Sequence, residues 1–219
     1  MEDVLDVYAL PYDPAIPTVC LDENLVTLHG DTNPTLPVEP GKPERVDYEY
    51  ERKGTANLFV MVEPLAGWRH VEVTERRTAK DYARQLVWLA NERYPDATKI
   101  CLIQDNLNTH VLSNLYLVCP PEEARRLSKR FEIHPTPKHG SWLDMAEIEI
   151  GIFERGCLSR RVASREELCS RVQALETERN TAMARICWRF TTPDARLKFA
   201  RFYEKLLQPD SDSPKNNCN

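Results

Sequence analysis

KICLIQDNLNTH, residues 99–110, decides how the chain is read. An apolar run from Ile100 to Ile103 breaks off and gives way to Asp105, Asn106 and, a few positions on, His110. A run of about four to eight such residues between turn signals reads as a buried strand. A strand that only fills a core can end at any turn residue. One that delivers a carboxylate to a working site ends on an acid and has acidic partners elsewhere in the chain.

On the N-terminal side of this strand, TAKDYARQLVWLANERYP reads as a helix. It has Tyr82, Leu86, Leu89 and Ala90 on one face, Thr78 as N-cap and Pro95 as its stop. Before it, TANLFVMVEP and WRHVEVTER flank LAG as a hairpin, and PTVCLDEN is a short strand closed by Asp22 and Glu23. Residues 29–54 read as a polar loop in which Pro34, Pro37, Pro40 and Pro43 recur at the polyproline II period, so a stiff, extended arm is expected. On the C-terminal side, PPEEARRLSKRF is a helix opened by prolines and acids, and FEIHPTP a strand. SWLDMAEIEIGIFERGCLSRR, SREELCSRVQALETERNTAMARI and CWRFTTPDARLKFARFYEKLL follow as helical segments. Strands first, then strands alternating with helices, point to an α/β fold with a sheet of mixed direction covered by helices.

With 219 residues and 42% apolar content, the chain suits one sizeable core plus an appendage. No apolar stretch approaches the roughly 20 residues of a membrane helix. MEDVLDVY is too acidic for a signal peptide, so a cytoplasmic location is expected. The seven cysteines (Cys20, Cys101, Cys119, Cys157, Cys169, Cys187 and Cys218) are scattered, with no C-x-x-C pair, and read as reduced thiols. G-x-G-x-x-G and Walker sequences are absent, which weighs against a nucleotide cofactor.

The net charge of −5 hides an asymmetry. Residues 1–50 hold eleven acids and two bases, leaving +4 for residues 51–219, and the stretch from Arg185 to Lys205 holds six bases against two acids. Arg185, Arg189, Arg196, Lys198 and Arg201 are candidates to clamp a DNA backbone without sequence choice. A solvated helical face is the commoner origin of such a run.

Three acids stand at the ends or starts of elements: Asp22, Asp105, and Glu147 in the first turn of the helix after HGSW. Hard divalent cations take oxygen ligands, and a pair of them can activate a water or hydroxyl and stabilise the leaving oxygen of a phosphodiester. Spacing alone leaves a second reading open. Asp105-Asn106 is also a turn signal, and Asp144 with Glu147 fits a D-x-x-E capping box.

CLDEN, LIQDNLNTH and PKHGSWLDMAEIEI, in this order, resemble the catalytic core of the mariner superfamily of DDE transposases, in its bacterial insertion-sequence branch. The resemblance spans about residues 15–190 and includes YERKGTANLFVMVEP. That family places its first Asp in a D-E pair, its second in D-N ahead of a His, and its Glu after S-W-L-N-x-x-E. Matched position by position, the resemblance implies that Asp22, Asp105 and Glu147 are the catalytic and metal-binding residues. It further implies an RNase H-like mixed sheet flanked by helices, with a C-terminal helical extension, and a cofactor of two Mg²⁺ or Mn²⁺ ions. The activity implied is hydrolysis at each transposon end and joining of the freed 3′-hydroxyl to target DNA. The partners implied are double-stranded DNA, at the inverted-repeat ends and the target, and a second copy in a homodimer.

Neighbouring residues then take expected roles. Asn106 and His110 support a ligand or touch DNA, although His110 also reads as a cap or a solvent-facing side chain. His139, with Lys138, approaches DNA or simply belongs to a polar loop. Asp144 departs from the Asn usual in the family, and its charge is expected to raise a neighbour's pKa or offer a wrong ligand. Glu149 lies about 200° around the helix from Glu147 and is expected on the solvent side or in an ion pair. Glu23 should face away from Asp22, as a bystander or a supporting group. Trp142 is expected to be a core anchor rather than a base-stacking platform. Glu147 follows Asp105 by 42 positions, somewhat long for the superfamily.

The expected division is a linker at 1–14 from a missing DNA-binding region, a catalytic domain at 15–165, a helical extension at 166–207 and a disordered tail at 208–219. About twenty residues precede Asp22, too few for helix-turn-helix modules, so a distal fragment or an internal start is expected. A catalytically inactive fragment that binds DNA or intact transposase is the rival reading. A host RNase H-fold nuclease is a third.

Overall fold

The computed structural model describes residues 1–33 and 48–207. The proline arm with Pro34, Pro37, Pro40 and Pro43, and the tail at 208–219, lie outside them. The chain opens with helix α1 (Glu2–Tyr8) and the long strand β1 (Thr18–Asp31). A hairpin of β2 (Tyr50–Glu63) and β3 (Trp68–Thr74) comes next, followed by helix α2 (Ala79–Trp88), which runs into a π-helical turn at Leu89–Arg93. Strand β4 (Ile100–Gln104), a 3-10 turn at Leu112–Leu117, helix α3 (Pro121–Ser128) and strand β5 (Phe131–Pro135) complete the alternating part. A 3-10 turn at Ser141–Leu143 leads into α4 (Ala146–Cys157), α5 (Arg165–Thr181), α6 (Thr192–Lys198) and α7 (Ala200–Leu207).

The five strands form one sheet in the order β3-β2-β1-β4-β5. β1, β2 and β3 pair antiparallel, whereas β1 with β4 and β4 with β5 pair parallel. Alternation sorts the strand residues between two faces. Val19, Leu21, Phe59, Met61, Ile100 and Leu102 pack under α2, where Tyr82, Leu86, Leu89 and Ala90 are fully buried as the helical period predicts. Thr78 caps α2 in a capping box with Asp81. On the other face, Leu58 and Val60 meet Ile150, Phe153 and Val172 of α4 and α5. Near the N-terminus of α4, Cys20, Cys101 and Ile103 meet Val4 and Leu5 of α1.

Three expected boundaries are corrected. β1 does not close at Asp22 but continues to Asp31, because β2 stays paired with it from Val62 to Tyr50, and Val26 and Leu28 keep feeding the core. Residues 29–31 and 50–54 of the expected loop are therefore strand. Residues 2–8, read as a linker or a frayed helix end, are a packed helix: Val4 and Leu5 are buried, and Glu2 pairs with Arg196 of α6. The helical segment read over 141–161 is shorter, since α4 begins at Ala146 and ends at Cys157.

Candidate active site

The register of β1 and β4 explains how two distant acids become neighbours. Their parallel pairing ends at Leu21 opposite Gln104, so Asp22 and Asp105 are the next residues along each strand. Both continue the face of Cys20, Cys101 and Ile103, the face covered by the start of α4. α4 brings Glu147 in its first turn. Asp22 lies within the electrostatic reach of the other two. Burial pushes the Asp22 carboxyl up to about 7, and the charges of Glu147, Asp105 and Glu23 push the same way against one hydrogen bond from the Glu23 N–H. As the side chains stand, no three His, Cys, Asp or Glu among the described residues converge closely enough to hold a metal ion.

Asp105 is held by a clamp built on the opposite face. The His110 imidazole lies between two carboxylates: Nδ1 donates to Asp105 Oδ1, and Nε2 donates to Glu23 Oε1 at 3.0 Å. Both partners are acceptors, so both ring nitrogens must carry protons. Burial pulls the imidazole pKa down, but the hydrogen bonds to Asp105 and Glu23 outweigh it and hold the ring at about 9. The ring stacks on Tyr82 at 4.6 Å. Tyr82 donates to Gln104 Oε1 at 2.6 Å, and Gln104 Nε2 donates to the His110 carbonyl at 2.9 Å. Glu23 does face away from Asp22, and through the imidazole it still reaches Asp105. His110 is buried, not solvent-facing.

Asp144 and Glu149 show the two fates of a buried carboxylate. Asp144 is 1% exposed; its Oδ1 accepts from the Ala146 N–H at 2.9 Å and its Oδ2 has no partner. The Oδ1 bond is a local turn contact and not a cap: the N-cap of α4 is Met145, with no side-chain cap bond, so the D-x-x-E capping box is not formed. Burial, together with the charges of Asp22, Glu147 and Asp105, lifts the Asp144 carboxyl well above the usual range. Glu149 is fully buried, which corrects the solvent-side expectation and keeps the ion-pair one. It accepts from Arg179 at 2.7 and 3.0 Å and from Arg69 at 3.1 Å.

The remaining candidates surround this centre. Asn106, Lys138 and His139 line an open groove beside Asp105, with Leu107, Thr136 and Ser141. His139 has a φ of 63°, a left-handed conformation that costs energy in a non-glycine residue and sits here at the mouth of the groove. Trp142 is 44% exposed rather than a core anchor, and packs on Trp188, Phe190 and Phe199 of the C-terminal segment. Arg185, Arg189, Lys198 and Arg201 are exposed, while Arg196 is held by the Glu2 carboxylate at 2.7 and 2.8 Å. Gln104 and Tyr8 have no place in the sequence reading, and Tyr82 enters it only as part of the α2 core face. Gln104, a lone amide after four apolar residues, carried the only local signal.

A profile of the DDE superfamily endonucleases matches residues 17–169, which include all three acids. No curated protein matches the chain. Among solved structures, a Mos1 strand transfer complex superposes with a TM-score of 0.51 at 16% identity, covering 77% of this chain and 50% of that one. A Mos1 mariner paired end complex with Mn gives a TM-score of 0.46 at 16% identity, covering 78% and 55%. This chain thus spans about half the length of the solved chains it resembles. The mixed five-stranded sheet flanked by helices is the RNase H-like fold. Among the described residues no helix is long and apolar enough to cross a membrane.

Proposed function

Because this chain belongs to the DDE superfamily of endonucleases, we propose that it is the catalytic domain of a mariner-like transposase, of the insertion-sequence type, that cuts and joins DNA with Asp22, Asp105 and Glu147. The observation that carries the reading is the uncompensated acid pocket. Among the described residues no Lys, Arg or His pairs with Asp22, Asp144 or Glu147, although Asp22 is largely buried and Asp144 wholly so. The side chains of the described residues as they stand do not converge on one ion; drawn together, all-oxygen donors suit Mg²⁺ or Mn²⁺ better than softer metals. Asp22, Asp105 and Glu147 would hold two such ions, three negative charges against four positive.

When bound, such ions polarise the scissile phosphate and lower the pKa of an attacking water. The chain's own residues do the rest. The clamp of His110 and Glu23 keeps Asp105 in one orientation, and Glu147 enters from α4. Lys138 and His139 on the groove wall, and Arg185, Arg189, Lys198 and Arg201 beyond it, meet the phosphate backbone, whereas Arg196 is already engaged by Glu2. A water oxygen bonds to phosphorus as the sugar 3′-oxygen leaves and takes a proton. The resulting 3′-hydroxyl then attacks a phosphodiester of the target. The DNA partner is double-stranded, and a homodimer holding two ends is the assembly proposed, in the cytoplasm.

The test is cleavage and strand transfer on duplex DNA carrying the element's ends, with Mg²⁺ or Mn²⁺. Asp105→Ala should abolish both steps. Activity that survives this change would rule out the assigned triad.

A further inference from the structure

We propose that Tyr8 is a positioning residue for Glu147, acting on the start of helix α4 from the opposite end of the sequence. The inference rests on the catalytic reading above and concerns a residue outside the matched stretch of 17–169. A helix start leaves backbone N–H groups in need of acceptors, and in a capping box the third helical residue reaches back to the N–H of the N-cap. α4 has no such means. Its N-cap is Met145, which makes no side-chain cap bond, and its third residue is Ile148.

The Tyr8 hydroxyl supplies what the helix lacks. It accepts from the Met145 N–H at 3.3 Å and donates to the Leu143 carbonyl at 2.7 Å, so it holds the backbone on both sides of Asp144. The same oxygen lies 3.3 Å from the sulfur of Cys20, two residues before Asp22 on β1. One side chain therefore touches the strand that carries Asp22 and the entry of the helix that carries Glu147. Glu147 is the second residue of α4, so the place where that first turn starts decides where its carboxylate reaches.

Tyr8 is itself held. Its ring packs on Trp188 at 5.2 Å, and Val4 and Leu5 of α1 share one buried cluster with Leu143, Met145 and Ala146. The C-terminal helices also grip α1. Arg196 donates to the Glu2 carboxylate at 2.7 and 2.8 Å, Tyr203 donates to it at 2.7 Å, and Thr192 donates to Asp6 at 2.8 Å. Residues from both ends of the described chain, none of them within the matched stretch, close on the joint between β1 and α4.

The experiment uses the full chain, duplex DNA carrying the element's ends, and Mn²⁺. Tyr8→Phe keeps the ring on Trp188 and removes the hydroxyl. Tyr94→Phe removes a hydroxyl that donates to Glu63 at 2.6 Å in the core under α2, and controls for lost stability alone. Tyr8→Phe should lower the cleavage rate at saturating DNA about tenfold and leave the half-saturating DNA concentration within about twofold, because the hydroxyl acts on geometry and not on binding. Hydrogen exchange of the amides at 143–150 should quicken in Tyr8→Phe, whereas Tyr94→Phe should keep both the native exchange there and the native rate. An unchanged cleavage rate in Tyr8→Phe would overturn the positioning role, and so would an equal loss of rate in Tyr94→Phe. A native chain that cuts no DNA would instead overturn the catalytic reading on which the inference rests.

Discussion

Glu147 and Glu149 leave the same turn of α4 two residues apart and end in opposite electrostatic worlds. Glu149 points inward between Arg69 and Arg179, and all of its acceptor capacity faces guanidinium. Arg69 in turn donates to the backbone carbonyls of Gly67, Arg179 and Ala184, tying the β2–β3 hairpin to the end of α5. The approach there is close. A Cβ on Gly67, whose φ is +71°, would meet the Met183 carbonyl at 2.4 Å. Glu147 is exposed and faces Asp22, Asp144 and Asp105 without a built-in cation. Buried charge that is compensated holds the fold together, whereas charge gathered without compensation lowers stability and is retained for what it binds.

The first way to break this comparison is to neutralise one acid in each region. Asp22→Asn should drop metal-dependent DNA cleavage to the background of the assay. Its unfolding midpoint in urea at pH 8 should hold or rise, because the change removes the repulsion that Glu147, Asp105 and Glu23 exert on a carboxylate with no paired base. A cleavage-competent Asp22→Asn, or one that unfolds more easily than the native chain, would show that the pocket is structural after all.

Glu149→Ala is the counterpart and should cost about 3–5 kcal/mol of folding stability, since it leaves Arg69 buried with no carboxylate. Glu147→Gln, on the exposed side of the same turn, should stay within about 0.5 kcal/mol of the native chain. Urea titration of the two variants side by side checks both values. Equal losses would mean that the two carboxylates are not divided as the contacts imply.

How much of this contrast is legible in the sequence follows from the range of the interactions. The α2 face and its Thr78 cap are local patterns and read correctly, as do the β2–β3 hairpin and the β4 strand that ends before Asp105. The meeting of Asp22 with Asp105 depends on strand register across 83 positions, which no local period encodes. It was read through the likeness of CLDEN and LIQDNLNTH to a family and not through physics. Read locally, PTVCLDEN ends at the acids Asp22 and Glu23, since Asp is a routine turn residue. The pairing with β2 overrides that preference and carries the strand nine residues further. The burial of Glu149 depends on Arg69, 80 positions upstream, and was invisible for the same reason. The charge asymmetry has an internal cause as well. Part of the basic C-terminal run serves the acidic N-terminus, through Arg196 to Glu2 and Thr192 to Asp6, rather than any outside partner.

The smallest of the expected effects is also the one that separates the two regions without altering the site's shape: the dependence of stability on pH. In and beside the acid pocket, Asp22 and His110 both hold protons more tightly folded than unfolded. Asp22 rises from 3.8 to about 7, so its contribution is complete below pH 3.8 and is lost as pH climbs to 7. His110 rises from 6.5 to about 9, so its contribution is complete below pH 6.5 and is lost as pH climbs to 9. Asp144 shifts in the same direction as Asp22. On the Arg69 side, burial lowers the guanidinium's pKa and the neighbouring Glu149 carboxylate opposes it. Stability of the chain without added divalent ions should therefore decline from pH 5 to pH 9. Asp22→Asn should flatten the lower half of the decline, and His110→Asn the upper half. Mn²⁺ should flatten the lower half as well, because a cation supplies the charge that protons otherwise provide. A decline that persists unchanged in both variants would place its origin outside the acid pocket.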